Sequence, residues 1–118
     1  MVGWWLQTAK RIAHAEIEIG NSKLMLAEEF PEMNSLSPKT IGGSPVWLFL
    51  YVDDVDRIVS QAVAEGAKVL MKVEDQFWGD RYGSIEDRFG HRWSISTHIK
   101  DLSEEELKKA AEEAFKNA

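Results

Sequence analysis

Residues 73–98 read VEDQFWGDRYGSIEDRFGHRWSISTH, and the arrangement of the remaining chain follows from this stretch. It predicts three short strands joined by tight turns. Gly79-Asp80 and Gly83 punctuate the first turn region, and Asp87-Arg88-Phe89-Gly90 makes the second, with the Gly and Asp chemistry that tight turns require. The last segment, Arg92–His98, alternates with period two: Trp93, Ile95 and Thr97 point one way, and Ser94, Ser96 and His98 the other. The first face is apolar enough to hold a helix. The second is small and polar, as the wall of a cavity would be.

Working upstream, Lys68 to Val73 is a further strand. Before it, Val55, Ile58, Val59, Ala62 and Val63 fall at helical spacing, with Asp53 or Asp54 as N-cap and Gly66 where a C-terminal glycine ends a helix. Val46 to Val52 is a strongly apolar strand. Residues 46–98 therefore make one complete strand, helix and three-strand unit, βαβββ. Residues 30–45 are rich in Pro, Gly, Ser and Asn and read as a connecting loop, long enough for a binding or covering role. Residues 1–29 hold three more strands. Gly3 to Gln7 places Trp4 and Trp5 on opposite faces, and Ile12 to Ile19 sets Ala13, Ala15, Ile17 and Ile19 against His14, Glu16 and Glu18. Lys23 to Glu28 returns from a turn at Gly20-Asn21-Ser22. Downstream, Ser103 and Glu106 form a capping box that opens a helix over 103–116, whose stripe of Leu107, Ala110, Ala111, Ala114 and Phe115 needs a surface to dock on. The fold class is α+β, and the length suits a single domain over 1–118.

A hydrophobic content of 44% with five Trp supports a packed core. The net charge of −6 argues against nucleic acid or an anionic membrane as partner. The absence of cysteine excludes disulfide and thiolate chemistry and makes a reducing cytoplasm the default location. No apolar run approaches the roughly 20 residues of a membrane span, and Met1 to Leu6 lacks the basic end and long apolar core of a signal peptide.

Two stretches carry a resemblance. DQFWGDRYGSIEDRFGHRWSISTHIKDLS, residues 75–103, resembles the end of a glyoxalase/bleomycin-resistance protein of the vicinal oxygen chelate superfamily, in its PhnB-like branch. HAEIEIGNSKLMLAEEFPEMNSLSPKTIGGSPVWLFLYVDDVD, residues 14–56, resembles the middle of the same proteins. The resemblance runs from about Arg11 to Glu106 and implies paired βαβββ modules. It leaves function open, because the superfamily holds lyases, isomerases, dioxygenases and plain drug binders. Family members begin with a strand and a helix before the HAEIEIG-like strand, and the ten residues that precede Arg11 are too few for both. The resemblance thus implies a shortened first module, as in a truncated, rearranged or engineered relative. A lost strand leaves an open sheet edge and a lost helix uncovers apolar surface, so a homodimer is expected, with strand exchange as one route and the Trp4-Trp5 pair filling the gap.

Metal-dependent members of the superfamily hold one divalent ion with His and Glu from the first and last strands of each module. Carried over by resemblance, the first ligand lies in the missing strand and the second falls near Leu26. The third falls at Trp47, or at Phe49 if the alignment slips by two, and the fourth at Ser94. Apolar side chains do not hold Zn²⁺ or Fe²⁺, and one serine does not compensate, so neither the usual metal chemistry nor a cofactor is expected. A rebuilt set is the weaker alternative: His14 and Glu16 share a strand face, and His98 shares the Ser94 face. The plainer reading leaves His14 and Glu16 as solvent-facing strand residues. His91 follows a turn glycine and is expected to be exposed. No Ser or Cys has the base and orienting partner of a nucleophile, and Gly42-Gly43 lacks the pattern of a phosphate loop.

Trp47, Phe49 and Tyr51 alternate onto one side of their strand, the side that by resemblance looks into the cavity, and Trp78 and Tyr82 sit in the hairpin nearby. Together with Ser94, Ser96 and His98 they either line a cleft suited to an apolar or aromatic small molecule or fill the space of the lost strand as core. Bleomycin-resistance relatives sequester a drug between protomers without metal chemistry. The leading expectation is a metal-free, dimeric small-molecule-binding protein, with Trp47, Phe49, Tyr51, Trp78, Ser94 and Ser96 as ligand-binding residues and no catalytic residue. One alternative is a truncated or engineered self-assembling scaffold without an evolved ligand. The other is a metal-dependent lyase, isomerase or dioxygenase with a site rebuilt from His14, Glu16 and His98. Whether the chain is an enzyme stays open.

Overall fold

The computed structural model describes residues 2–8 and 11–116, and side chains over 14–116. It divides into two compact units, Met1–Ile41 and Gly42–Ala118.

In the first unit, β1 (Val2–Thr8), β2 (Arg11–Ile19) and β3 (Ser22–Leu26) form an antiparallel sheet in that order. The β2–β3 hairpin runs from Ala15↔Leu26 to Ile19↔Ser22, and Gly20 turns it at φ 60°, a conformation that suits glycine. The expected orientations of Trp4, Trp5 and Ala13 fall outside the described side chains. Residues 30–45, expected as a plain loop, contain a 3-10 turn at Pro31–Met33 and a short helix, α1 (Pro38–Ile41). The two prolines pre-set the helical φ of each opening turn. Glu29 then ties the segment together: its carboxylate accepts from the Ser37 N–H at 2.9 Å and from the Thr40 hydroxyl at 2.6 Å.

The second unit runs β4 (Trp47–Tyr51), α2 (Val55–Ala64), β5 (Lys68–Asp75), β6 (Asp80–Glu86), β7 (Arg92–His98) and α3 (Glu104–Phe115). Its sheet has the order β4-β7-β6-β5, with β4 parallel to β7 and the other pairs antiparallel. This is the expected βαβββ module. Asp54 caps α2 by accepting from the Arg57 N–H at 3.2 Å, and Gly66 follows the helix at φ 103°. The apolar stripe of α2 supplies Val55 and Val59 to a core completed by Ile85 and Ile95, with Val52, Ile58, Ala62, Ala67, Val73 and Trp93 packed around it. Thr97 pins the helix start to the sheet. Its hydroxyl accepts from the Val55 N–H at 2.8 Å and donates to the Val52 carbonyl at 3.0 Å. The apolar face of β7 thus points at α2, and the face bearing Ser94, Ser96 and His98 points away.

Two residues expected in the first turn belong to β6 instead. The turn itself is Gln76–Gly79, closed by the Gln76 N–H donating to the Asp80 carbonyl at 2.8 Å. Asp80 opens the strand, and Gly83 lies inside it. Glycine is required there because β5 bulges towards it: a Cβ on Gly83 would stand 2.8 Å from Val73 Cγ2 and 3.3 Å from the Met71 carbonyl oxygen. The capping box of α3 forms as expected, Ser103 Oγ accepting from the Glu106 N–H at 3.1 Å and Glu106 Oε1 from the Ser103 N–H at 3.3 Å. No α3 residue is buried; Phe115 meets the Phe77 ring edge-on at 5.7 Å. No described helix is long and apolar enough to cross a membrane.

Candidate functional site

The sheet of the second unit has α2 on one face. On its other face, strand register lays out an aromatic and hydroxyl surface. Phe49 pairs with Ser94 and Tyr51 with Ser96 across β4–β7, while Ser84, Tyr82 and Asp80 of β6 stand opposite Ser94, Ser96 and His98 of β7. Ser84, Ser94 and Ser96 are buried and form the floor. Trp47, Phe49 and Tyr51 are 43%, 55% and 59% exposed, so none of the three is core in this chain.

The rings touch in series. Tyr51 lies 5.2 Å from Phe49, Phe49 6.1 Å from Tyr82, and Tyr82 5.8 Å from Trp78, measured between centroids. Trp78 meets Phe77 edge-on at 5.1 Å. The expected residues Phe49, Tyr51, Trp78, Ser94 and Ser96 are therefore brought together. Trp47 stands at the far end of β4, where the Arg92 guanidinium lies over its ring at 5.4 Å.

Asp80 organises this face, and sequence reasoning placed it in a turn. It is 2% exposed. Its Oδ2 accepts from the Tyr51 hydroxyl at 2.7 Å and from the Trp78 indole N–H at 3.0 Å. Its Oδ1 lies 3.1 Å from His98 Nδ1, and His98 Nε2 lies 2.7 Å from Asp101 Oδ1. The alternation of Asp80, Tyr82, Ser84 and Glu86 against Arg81, Gly83 and Ile85 was the available signal, obscured by a glycine at its centre. Burial pushes the Asp80 carboxyl up, but hydrogen bonds from Tyr51, His98 and Trp78 outweigh it and leave the group below its ordinary value. The hydrogen bond to Asp101, and then that to Asp80, raise the His98 imidazole. The bond to Asp80 also raises the Tyr51 phenol, which stays protonated as a donor.

Tyr82 Oη and Ser94 Oγ share a hydrogen bond of 2.8 Å. Ser96 Oγ is buried and has no hydrogen-bond partner within the protein. Arg92 pairs with Glu86 at 3.5 Å at the edge of the face.

His14 and Glu16 lie on β2 of the first unit, where Glu16 pairs with Lys23 at 3.6 Å. His98 lies on β7 and is engaged by its two aspartates. Among the described residues, no group of three or more His, Cys, Asp or Glu side chains is placed to hold a metal ion. His91 is exposed. It follows a turn in which Asp87 Oδ1 accepts from the N–H groups of Phe89 and His91, at 2.9 and 3.0 Å.

Residues 6–95 match the family model of the Glyoxalase/Bleomycin resistance protein/Dioxygenase superfamily. The chain is 38% identical over 103 residues, 85% of its length, to the uncharacterized proteins Mb0911c of Mycobacterium bovis and Rv0887c of Mycobacterium tuberculosis, and spans 68% and 61% of their respective lengths. Among solved structures it is similar to protein PA1353 of Pseudomonas aeruginosa, with a TM-score of 0.61 and 26% identity over 80% of this chain and 71% of that one. A PhnB protein from Bacillus cereus shares the fold at a TM-score of 0.50 and 15% identity, over 74% of this chain and 65% of that one.

Proposed function

The chain belongs to the glyoxalase/bleomycin resistance protein/dioxygenase superfamily, and from that premise we propose that it is a metal-free, dimeric small-molecule-binding protein of the cytoplasm. The observation that carries this reading is the exposed aromatic row of Trp47, Phe49 and Tyr51 beside a floor of buried serines. Large rings are expensive to leave in water, and a flat or apolar ligand that stacks on them recovers that cost.

The donor set supports the metal-free part. At the positions that would ligate an ion, Leu26 and Trp47 or Phe49 offer carbon, and the Ser94 hydroxyl is already bonded to Tyr82. These residues lack the imidazole and carboxylate donors with which metal-dependent members hold their ion, and so do not fit it. The dimeric part is supported by β5. This strand lies at the edge of its sheet, and Val69, Leu70 and Met71 are exposed along it, a pattern that favours pairing with a second copy.

Binding of a naphthalene-based dye to the whole chain tests the reading. Saturable binding that is lost in Phe49→Ala, with the far-ultraviolet dichroism unchanged, is the expected result. No saturable binding, or binding undiminished in Phe49→Ala, would overturn it. Sedimentation equilibrium at micromolar concentration checks the assembly, which a clean monomer would exclude.

A further inference from the structure

We infer that the aromatic face takes an uncharged planar ring system bearing a single hydrogen-bonding group, and that Ser96 Oγ is the atom that reads that group; this rests on the face being a binding site. The polar side chains that flank Ser96 on this face are spent on one another. Tyr51 and Trp78 donate to Asp80, and Tyr82 and Ser94 share a bond. The charges that border the face on β6 and β7 are paired too, Arg92 with Glu86 and His98 with Asp80 and Asp101. A ligand carrying a formal charge would find these counter-charges engaged, whereas a neutral ring meets an aromatic surface already satisfied.

Ser96 is the fully buried hydroxyl that lacks such a partner. It is 0% exposed, its hydroxyl has no partner within the protein, and strand register puts it between Tyr51 on one side and Tyr82 on the other. Buried polar atoms are normally paired, and an unpaired one rewards whatever group arrives to bond it. Tyr51 controls the approach. To reach Asp80 on β6 from β4, its phenol passes over β7 beside Ser96. Tyr51 is more than half exposed and tethered at its tip by the hydrogen bond to Asp80, so rotation of the side chain clears the floor while the backbone stays in place.

Equilibrium dialysis of the whole chain against 2-naphthol and 2-methylnaphthalene tests this, since the pair differs in one hydroxyl on a common ring. The wild type is expected to bind 2-naphthol about fivefold to tenfold tighter, the equivalent of one neutral hydrogen bond. Ser96→Ala is expected to lose this preference for 2-naphthol, because the ligand hydroxyl is then left without its partner. Tyr51→Phe, which cuts the tether and keeps the ring, is expected to tighten both and preserve their ratio. Equal binding by the wild type, or a preference that survives Ser96→Ala, would overturn the role of Ser96 while the cleft stood. A preference lost in Tyr51→Phe would move the reading atom to the Tyr51 phenol and also overturn it. Binding of neither compound would remove the binding reading and this inference together.

Discussion

The phenol of Tyr51, on β4, crosses β7 and donates to the buried carboxylate of Asp80, on β6, at 2.7 Å. The same oxygen holds the Trp78 indole at 3.0 Å, so one carboxylate fixes two rings that arise from different parts of the module. Asp80→Asn keeps the shape but removes the charge from these bonds and places an amide donor where an acceptor is needed. The expected loss is about 1.5–3 kcal/mol of unfolding free energy, the range for hydrogen bonds to a charged group. Urea unfolding measures it. A weaker near-ultraviolet dichroism should accompany it as Tyr51 and Trp78 lose their fixed orientation.

Phe49 and Ile95 separate surface from core. Phe49 sits over the serine floor and is more than half exposed, whereas Ile95 is buried under α2. Phe49→Ala is expected to cost less than about 1 kcal/mol of stability, and Ile95→Ala about 2–5 kcal/mol, because only the second leaves a cavity. Comparable losses from the two in urea unfolding would show that Phe49 is buried in solution, for instance against a second copy.

Most of the module was legible in the sequence. Period two in Arg92–His98, helical spacing in residues 55–63 and the Ser103–Glu106 capping box each reflect local physics, and each element formed where the pattern placed it. The serine face of β7 and the aromatic face of β4 were legible for the same reason. The Asp80 hub was not. Asp beside Gly is strong turn chemistry, and what moves Asp80 into β6 is its non-local partners, Tyr51 29 residues before it and His98 18 residues after it. Gly83 was misplaced for a similar reason: the bulge of β5 that demands it is a tertiary feature. The order within residues 30–45 escaped notice because it comes from pairings that composition does not show: the backbones of Phe30 and Ser35 bond to each other, and the Glu29 carboxylate holds Ser37 and Thr40 from outside the loop.

Gly79 positions the hub from behind. It adopts φ 96°, its carbonyl accepts from the N–H groups of Ile99 and Lys100 at 3.0 Å each, and a Cβ on it would stand 2.3 Å from the Lys100 carbonyl oxygen. Backbone rather than a flexible side chain is in the way. Gly79→Ala therefore carries both a left-handed conformation penalty and a clash, for an expected loss of about 2–4 kcal/mol. Because Trp78 and Asp80 flank this residue, dye binding should weaken along with stability. A variant of wild-type stability in urea would mean that the turn relaxes away from Lys100.

His98 gives the face a pH dependence whose sign is fixed by its partners. Its pKa is raised by Asp101 and then Asp80, so it binds its proton more tightly folded than unfolded. That contribution is complete below the unfolded value of about 6.5 and is lost as pH rises through the raised folded value. Asp80 runs the other way. Its pKa is lowered, so its contribution is complete above an unfolded value of about 3.9 and is lost as pH falls through the lowered folded value. Both are present between about pH 4 and 6.5, and stability should peak there. The acid side is shared with Glu29, Asp56 and Glu106, whose carboxyls are also lowered, by Thr40, Arg81 and Ser103 respectively. The alkaline side is therefore the diagnostic one. The urea midpoint of the wild type is expected to fall as pH is raised from 6 to 9, and His98→Gln is expected to flatten that fall while leaving the acid limb in place. An unchanged alkaline slope in His98→Gln would mean that the imidazole is not held by the two aspartates in solution.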